Sequence, residues 1–228
     1  WCEPYLPLEM RWFSELVHRC RDLGMRFVFG VSPLELCYLD TACEGIVLNG
    51  ALQAEAGKFA FNTAAQYMRD PQSYDPEKAW GKALLEVCGD SEDAEAVKAL
   101  ADLARRSPLL PGHEHKTVWR PVLEGFWQNP SAEAAKDLRA RLRRLLEDAR
   151  RPQHFKNSAL ARDLRPWSTK LGGWAKVGLM GLAALQSPSE ARITDLLEEI
   201  YRVRENFAWV GGDLFELFAR RCAAQSCC

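Results

Sequence analysis

Apolar side chains recur at helical spacing over most of the chain. The clearest stripe lies between residues 129 and 150 and consists of Ala135, Leu138, Leu142, Leu145 and Leu146. Because residues three or four positions apart share one face of a helix, this stripe predicts an amphipathic helix with one buried side. The same spacing predicts further helices over residues 52–68, 75–87, 91–106, 117–127, 158–185, 189–207 and 213–222. From residue 70 onward the sequence therefore predicts a helical bundle.

The first part of the chain has a different pattern. Residues 7–24 predict a helix, and the short aromatic and β-branched runs at 25–31 and 45–48 predict two strands. A helix followed by a buried strand is typical of α/β units. We therefore predict a mainly α protein in two parts, a short α/β segment at residues 1–69 and a helical bundle domain at residues 70–228.

Charge and hydropathy exclude some classes of partner. The 228 residues carry 30 basic and 31 acidic side chains, which gives nucleic acid and anionic membranes no electrostatic attraction. The apolar run Gly178–Leu185 is far shorter than a membrane span. We expect no nucleic acid and no membrane as partner. No signal peptide is visible, but the chain starts at Trp1 and not at a methionine, so the sequence does not determine where the true N-terminus lies.

Cysteine spacing favours free thiols. There is no C-x-x-C pair and no cysteine–histidine spacing of the kind that binds zinc, so we predict no metal and no cofactor. Unpaired cysteines are typical of a reducing compartment, which favours a cytoplasmic location. The eight cysteines are Cys2, Cys20, Cys37, Cys43, Cys88, Cys222, Cys227 and Cys228.

Two segments could carry binding chemistry. Asn49 follows a predicted strand, where α/β folds place functional side chains, but Asn49-Gly50 is also ordinary turn chemistry, and position alone favours the turn. His113 and His115 lie two apart in a loop without a third or fourth metal ligand, so an exposed loop is the favoured interpretation.

Paired carboxylates could also carry chemistry, because one carboxyl group can act as a general acid while its neighbour acts as a base. The sequence contains no Asp-Asp pair, and its adjacent acidic pairs fall inside predicted helices, where we expect them to face solvent. These pairs are Glu92-Asp93, Glu147-Asp148 and Glu198-Glu199. A basic cluster on one helix has acidic residues nearby and predicts a salt-bridged surface; it consists of Arg139, Arg141, Arg143 and Arg144, with Glu133, Asp137, Glu147 and Asp148 as the acidic neighbours. Trp167 and Trp174 share a helical face and predict core.

One segment resembles a known family. Residues 45–58 read Gly-Ile-Val-Leu-Asn-Gly-Ala-Leu-Gln-Ala-Glu-Ala-Gly-Lys. This string resembles the G-V-L-x-N-P-x-x-Q-A-E-A-S-K segment of glycoside hydrolase family 84, the O-GlcNAcase-like β-N-acetylglucosaminidases. Residues 65–80 then resemble that family's A-D-Y-L-W-N-P-x-x-Y-D-P-E-x-x-W, residues 1–5 its W-R-E-P-Y, and residues 164–174 its helical domain. The resemblance covers nearly the whole chain in two blocks.

The resemblance implies an incomplete enzyme. Family 84 uses a (β/α)8 barrel, which takes about 250 residues, whereas only eight residues separate Leu36 from Gly45 where several barrel units would lie. Those units carry the adjacent aspartates that assist attack by the 2-acetamido group, so residues 1–69 would be a barrel remnant without catalytic residues. Among the family's sugar ligands only Asn49 carries over by position, as a contact to sugar hydroxyls.

Three functions stay open on this basis. The first is a β-N-acetylglucosaminidase homologue that is catalytically incomplete and binds, if anything, an N-acetylglucosamine-bearing glycan or glycoprotein. The second is a non-catalytic helical interaction or scaffold module, including a homodimer formed through an apolar face. The third is hydrolysis by recruited carboxylates such as Glu3, Asp40 or Glu44, which is disfavoured because nothing in the sequence fixes their separation.

Overall fold

The structure, a computed structural model, describes residues 19, 22–23, 48, 52–104 and 117–226, and the statements below concern these residues. Within them the chain is mainly helical, as predicted, and contains no strand. The helices are α1 (Ala54–Arg69), α2 (Pro76–Cys88), α3 (Ser91–Leu103), α4 (Trp119–Gln128), α5 (Ala132–Arg150), α6 (Ser158–Gln186), α7 (Glu190–Glu205) and α8 (Leu214–Ser226), with a 3-10 turn at Arg151–His154.

The predicted α/β segment falls largely outside the described residues. The strand predicted at residues 25–31 lies wholly outside them, and of the strand predicted at 45–48 only Leu48 is described, as half-buried coil. The barrel remnant therefore stays a prediction.

Local capping signals place the helix boundaries. Asp75 accepts hydrogen bonds from the backbone N–H groups of Glu77 and Lys78 at 3.0 and 3.1 Å, so α2 begins at Pro76 as predicted. The helix ends before Gly89, whose φ of 69° lies in the left-handed region that glycine adopts without strain. A serine at the start of a helical pattern predicts an N-cap, so the pattern from residue 91 predicts Ser91 as the cap of α3, but the cap is one residue earlier.

Asp90 is the residue that caps α3. Its side chain accepts from the N–H groups of Glu92 and Asp93, because a carboxylate with extended backbone reaches the second and third amides of the helix. The prediction was wrong since Asp90 and Ser91 are both good caps and the sequence alone does not rank them. Ser131 and Ser189, by contrast, cap α5 and α7 as their positions indicated.

The chain divides into two compact units, one running to Ala83 and the other beginning at Leu84. The domain boundary predicted near residue 70 stays a prediction. In the second unit the 29-residue helix α6 packs against α5, α7 and α8, and it therefore forms the centre of that unit. None of the helices described is both long and apolar enough to cross a membrane.

Glycines on α6 allow this close packing. A Cβ atom on Gly173 would lie 2.6 Å from Val203 of α7, and one on Gly178 would lie 2.8 Å from Leu142 of α5. Both distances are shorter than carbon atoms tolerate, so only glycine lets these helices approach so closely. Trp174 lies between these two glycines and is 2% exposed, with its indole N–H donating to the carbonyl of Val210 at 3.0 Å. The predicted core role of Trp174 is confirmed.

The last helix extends further than predicted. The last predicted helix ends at residue 222, and the six residues after it predict a frayed chain end, yet α8 continues to Ser226, and Ala223 is buried. The hydroxyl of Ser226 donates to the carbonyl of Cys222 at 2.8 Å. The prediction was wrong up to Ser226 because Cys222 and Ala223 pack into the core of the second unit, which holds the end of the helix.

Candidate functional site

The predicted sugar ligand Asn49 lies outside the described residues, as do His113 and His115. The segment that follows Asn49 is described from Leu52, and α1 begins five positions after the asparagine, at Ala54. In its first turn Glu55 pairs with Lys58 at 2.6 Å. The carboxylate of Glu55, six positions after Asn49 in the sequence, is therefore engaged with a cation.

The turn between α1 and α2 is built by the family-like motif at residues 65–80. Asp70 accepts hydrogen bonds from the hydroxyl and the backbone N–H of Ser73, which lower the pKa of this carboxyl below its usual value. Tyr67 and Tyr74 meet edge to face with ring centroids 5.3 Å apart. These motif residues close a turn, which is a structural role.

Two further contacts tie α1 to the first turns of α2. The Gln66 amide donates to the carbonyl of Ala79 at 3.3 Å and to the side chain of Asn62 at 2.5 Å. The rings of Phe59 and Trp80 lie 5.7 Å apart. The residues that resemble the family thus build a helical hairpin directly after Asn49.

In the acidic pair Glu92-Asp93, Glu92 faces solvent as predicted, but Asp93 does not. Asp93 is 2% exposed, and its carboxylate accepts from Arg151 Nε at 2.7 Å. Arg151 also pairs with Glu92 at 2.7 Å and with Asp90 at 3.5 Å. The prediction failed because the start of α3 packs against the 3-10 turn, which brings in a cation from 58 positions away and makes burial of the charge tolerable.

Glu199 is a second exception among the acidic pairs. It is 8% exposed and pairs with Lys176 at 3.0 Å and with Arg202 at 2.5 Å, whereas its neighbour Glu198 is exposed as expected. In the third pair Asp148 binds Arg144 at 3.1 Å, and burial raises the pKa of Asp148. Each of the three pairs therefore has a carboxylate committed to a structural ion pair.

The surface around Arg141 and Arg144 agrees with its prediction. Arg141 binds Asp137 at 2.8 Å, and Arg144 binds Asp148, so this face of α5 carries ion pairs at helical spacing. Within the described part of the chain, no three His, Cys, Asp or Glu side chains come close enough together to hold a metal ion.

Two of the eight cysteines are described, and both are free thiols, as predicted. Burial raises the pKa of Cys88 to about 11 and that of Cys222 to about 12. Because the thiolate is the reactive form, neither sulfur is suited to be a nucleophile near neutral pH.

The second unit contains a groove that the sequence did not reveal. It has a volume of about 580 Å³ and lies where the end of α5, the 3-10 turn and the first turns of α6 meet. We call it the basic groove, and its polar lining residues are Arg150, Gln153, Ser158, Arg162, Arg165, Ser168 and Thr169. No local motif marks it, because its three arginines come from two helices and meet only in the folded unit.

Comparison with known proteins gives one sequence match and several structural ones. Residues 38–102 match the family model described as beta-N-acetylglucosaminidase. No curated protein sequence matches the chain significantly. The match includes Asn49 and the α1–α2 hairpin, and so it covers the family-like motifs at residues 45–58 and 65–80, whereas the family-like segments at residues 1–5 and 164–174 lie outside it.

Solved structures with a similar fold include an aspartate-to-asparagine mutant of the O-GlcNAc hydrolase of Thermobaculum terrenum. It has a TM-score of 0.66 and 20% identity, over 81% of this chain and 42% of that one. CpGH84B aligns with a TM-score of 0.57 and 18% identity, over 81% of this chain and 34% of that one. CpGH84D aligns with a TM-score of 0.63 and 17% identity, over 82% and 35%.

The chain thus spans between 34% and 42% of the length of these three structures. At 17–20% identity the structural likeness concerns the fold, and the sequence match concerns residues 38–102. The chain is therefore similar to the beta-N-acetylglucosaminidases in sequence over residues 38–102, and it shares its fold with parts of O-GlcNAc hydrolase and GH84 structures.

Proposed function

We propose that this chain is a family 84 β-N-acetylglucosaminidase homologue that binds N-acetylglucosamine through Asn49 and does not hydrolyse glycosides by itself. The observation that carries the proposal is the match of residues 38–102, which include Asn49, to the beta-N-acetylglucosaminidase model. In this proposal residues 1–69 are the remnant of a barrel, and residues 70–228 form a helical bundle domain.

The carboxylates support the proposal that the chain does not hydrolyse glycosides. Substrate-assisted hydrolysis needs one acid to orient the acetamido group and another to protonate the leaving oxygen, and the sequence has no Asp-Asp pair. Among the described acidic pairs, Asp93 and Glu199 are held by cations in buried positions. These carboxylates are committed to the fold, so they are poor candidates for acid and base.

Hydrolysis is tested with a fluorogenic N-acetyl-β-glucosaminide. We expect the purified chain to release no more fluorophore than its heat-denatured control. Turnover that an N-acetylglucosaminidase inhibitor abolishes would contradict the proposal, and alanine replacement of Glu3, Asp40 and Glu44 would then identify recruited carboxylates.

Sugar binding is tested separately by saturation-transfer NMR with N-acetylglucosamine. Asn49→Ala should remove the transfer signal, whereas Asn129→Ala, a change at an exposed asparagine after α4, should leave it unchanged. An equal signal from both variants would show that Asn49 does not bind the sugar.

A second candidate function is a helical interaction module, including the homodimer. It is favoured by large apolar side chains on the surface of the second unit, where Phe207 is 76% exposed, Leu217 65% and Tyr201 61%. Light scattering tests this candidate, because a monomer that persists at high concentration would argue against self-association.

A further inference from the structure

The basic groove is a concave site within the second unit. Its volume of about 580 Å³ is within the range of small-molecule sites, which is about 300–1,000 Å³. Arg150 contributes from the end of α5, and Arg162 and Arg165 contribute from one face of α6. The side chains of Leu146 and Ala149 add apolar surface. The groove thus combines positive charge with an apolar wall.

The three groove arginines have no carboxylate partner among the described residues. In that part of the chain no carboxylate lines the groove, and Arg150, Arg162 and Arg165 form no ion pair. The adjacent Arg151 shows the contrast, because it binds three carboxylates. A cluster of like charges without counter-charges is repulsive, and an anion placed among them would relieve that repulsion.

The start of α6 adds to the positive potential. Ser158, the first residue of this 29-residue helix, lines the groove, and the side chain of Asn157 accepts from the N–H of Leu160 at 3.1 Å. The other first-turn amides of a helix have no partner within it, and the helix dipole is positive at that end. Thr169, further along α6, also lines the groove.

We propose that the basic groove binds a small organic anion that carries a phosphate or sulfate group on an apolar body. Guanidinium groups bind these oxyanions by paired, charge-assisted hydrogen bonds, and three arginines line this one groove. The apolar wall accommodates the rest of the molecule. The site is independent of Asn49, and hence of the proposed function.

The probes are phenyl phosphate and phenyl sulfate, titrated into the full chain by calorimetry, with phenol as the uncharged control. We expect at least one of the two anions to bind with a Kd of about 1 mM or tighter, and phenol not to bind. The double variant R162Q/R165Q should weaken binding at least about tenfold. The matched control Arg143→Gln removes an exposed arginine of α5 outside the groove and should leave the Kd within about twofold.

A second variant keeps the proposal testable if the double variant does not fold. Thr169→Glu places a carboxylate at an exposed position of the groove wall, and it should abolish anion binding while the helical circular dichroism is retained. Absence of binding by both anions would overturn the proposal, and so would equal loss of affinity in Arg143→Gln and R162Q/R165Q. Binding that survives Thr169→Glu would also overturn it.

Discussion

Asp93 and Arg151 form an ion pair of 2.7 Å across 58 positions of sequence, with the carboxylate almost completely buried. The pair joins the start of α3 to the 3-10 turn after α5. Arg151 remains one-third exposed, so most of the desolvation falls on the acid. The two partners are therefore not equivalent. Removing Arg151 leaves the buried charge of Asp93 without a partner, whereas removing Asp93 leaves no buried charge behind.

Arg151→Met is therefore expected to lower the free energy of unfolding by about 3 kcal/mol or more, the cost of an uncompensated buried charge. Urea unfolding followed by circular dichroism measures it. Arg141→Met is the control, because it breaks an exposed ion pair of α5 and should cost about 1 kcal/mol or less. Equal losses in the two variants would show that burial of Asp93 does not matter.

Gly178→Ala is expected to destabilise the second unit by about 1 to 3 kcal/mol, because its Cβ would lie 2.8 Å from Leu142 and would push α5 and α6 apart. The control is Gly125→Ala in α4, where a Cβ meets nothing within 4 Å. That change should stabilise by up to about 1 kcal/mol through helix propensity. Thermal unfolding of both variants tests the pair, and a stabilised Gly178→Ala protein would contradict the close packing.

Asp148→Asn is expected to give a pH-dependent gain in stability. Burial raises the pKa of Asp148 above its ordinary value of 3.8, so the fold favours the protonated acid. The protonated Asp148 therefore stabilises the fold fully below pH 3.8, and this stabilisation is lost as the pH rises through the pKa that Asp148 has in the folded protein. The variant should therefore melt higher than the parent at pH 7, and the gain should disappear near pH 3.

Asp137→Asn, at an exposed position of the same helix, is the control for this series. It should show no comparable gain at pH 7. Melting curves of the parent and both variants across this pH range decide the matter, and a gain from Asp148→Asn that persists at pH 3 would refute the protonation argument.

Cys88 and Cys222 are expected to resist alkylation in the folded protein. Their buried thiols have a pKa of about 11 and about 12, so almost no thiolate forms at pH 8. Mass spectrometry after brief iodoacetamide treatment should find both unmodified in the native protein and both modified in urea. Native labelling of Cys222 at the rate seen in urea would mean that α8 opens readily.

The helices could be predicted because their signals are local. Asp75, Ser131 and Ser189 mark helix starts through hydrogen bonds that span two or three residues. The apolar stripe of α5 identified its buried side for the same reason, since helical spacing alone fixes which residues share a face.

The burial of Asp93 and the basic groove could not be predicted in this way. Both depend on which helices pack together. Arg151 lies 58 positions after Asp93, and the arginines of the groove lie on two helices. Arg150 and Arg162 are twelve positions apart on different helices, and the sequence around them reads as ordinary polar surface. The role of Asn49 stays a prediction, because it rests on resemblance.

The glycine contacts of α6 also affect how the second unit unfolds. Because Val203 and Leu142 lie against the helix backbone at Gly173 and Gly178, α6 cannot separate from one neighbour without losing its fit to the others. Amide hydrogens in the middle of α6 should then exchange with solvent only when the whole unit opens. A ligand in the basic groove, which lies on this helix, would slow that exchange along the buried length of α6 as well as at the groove.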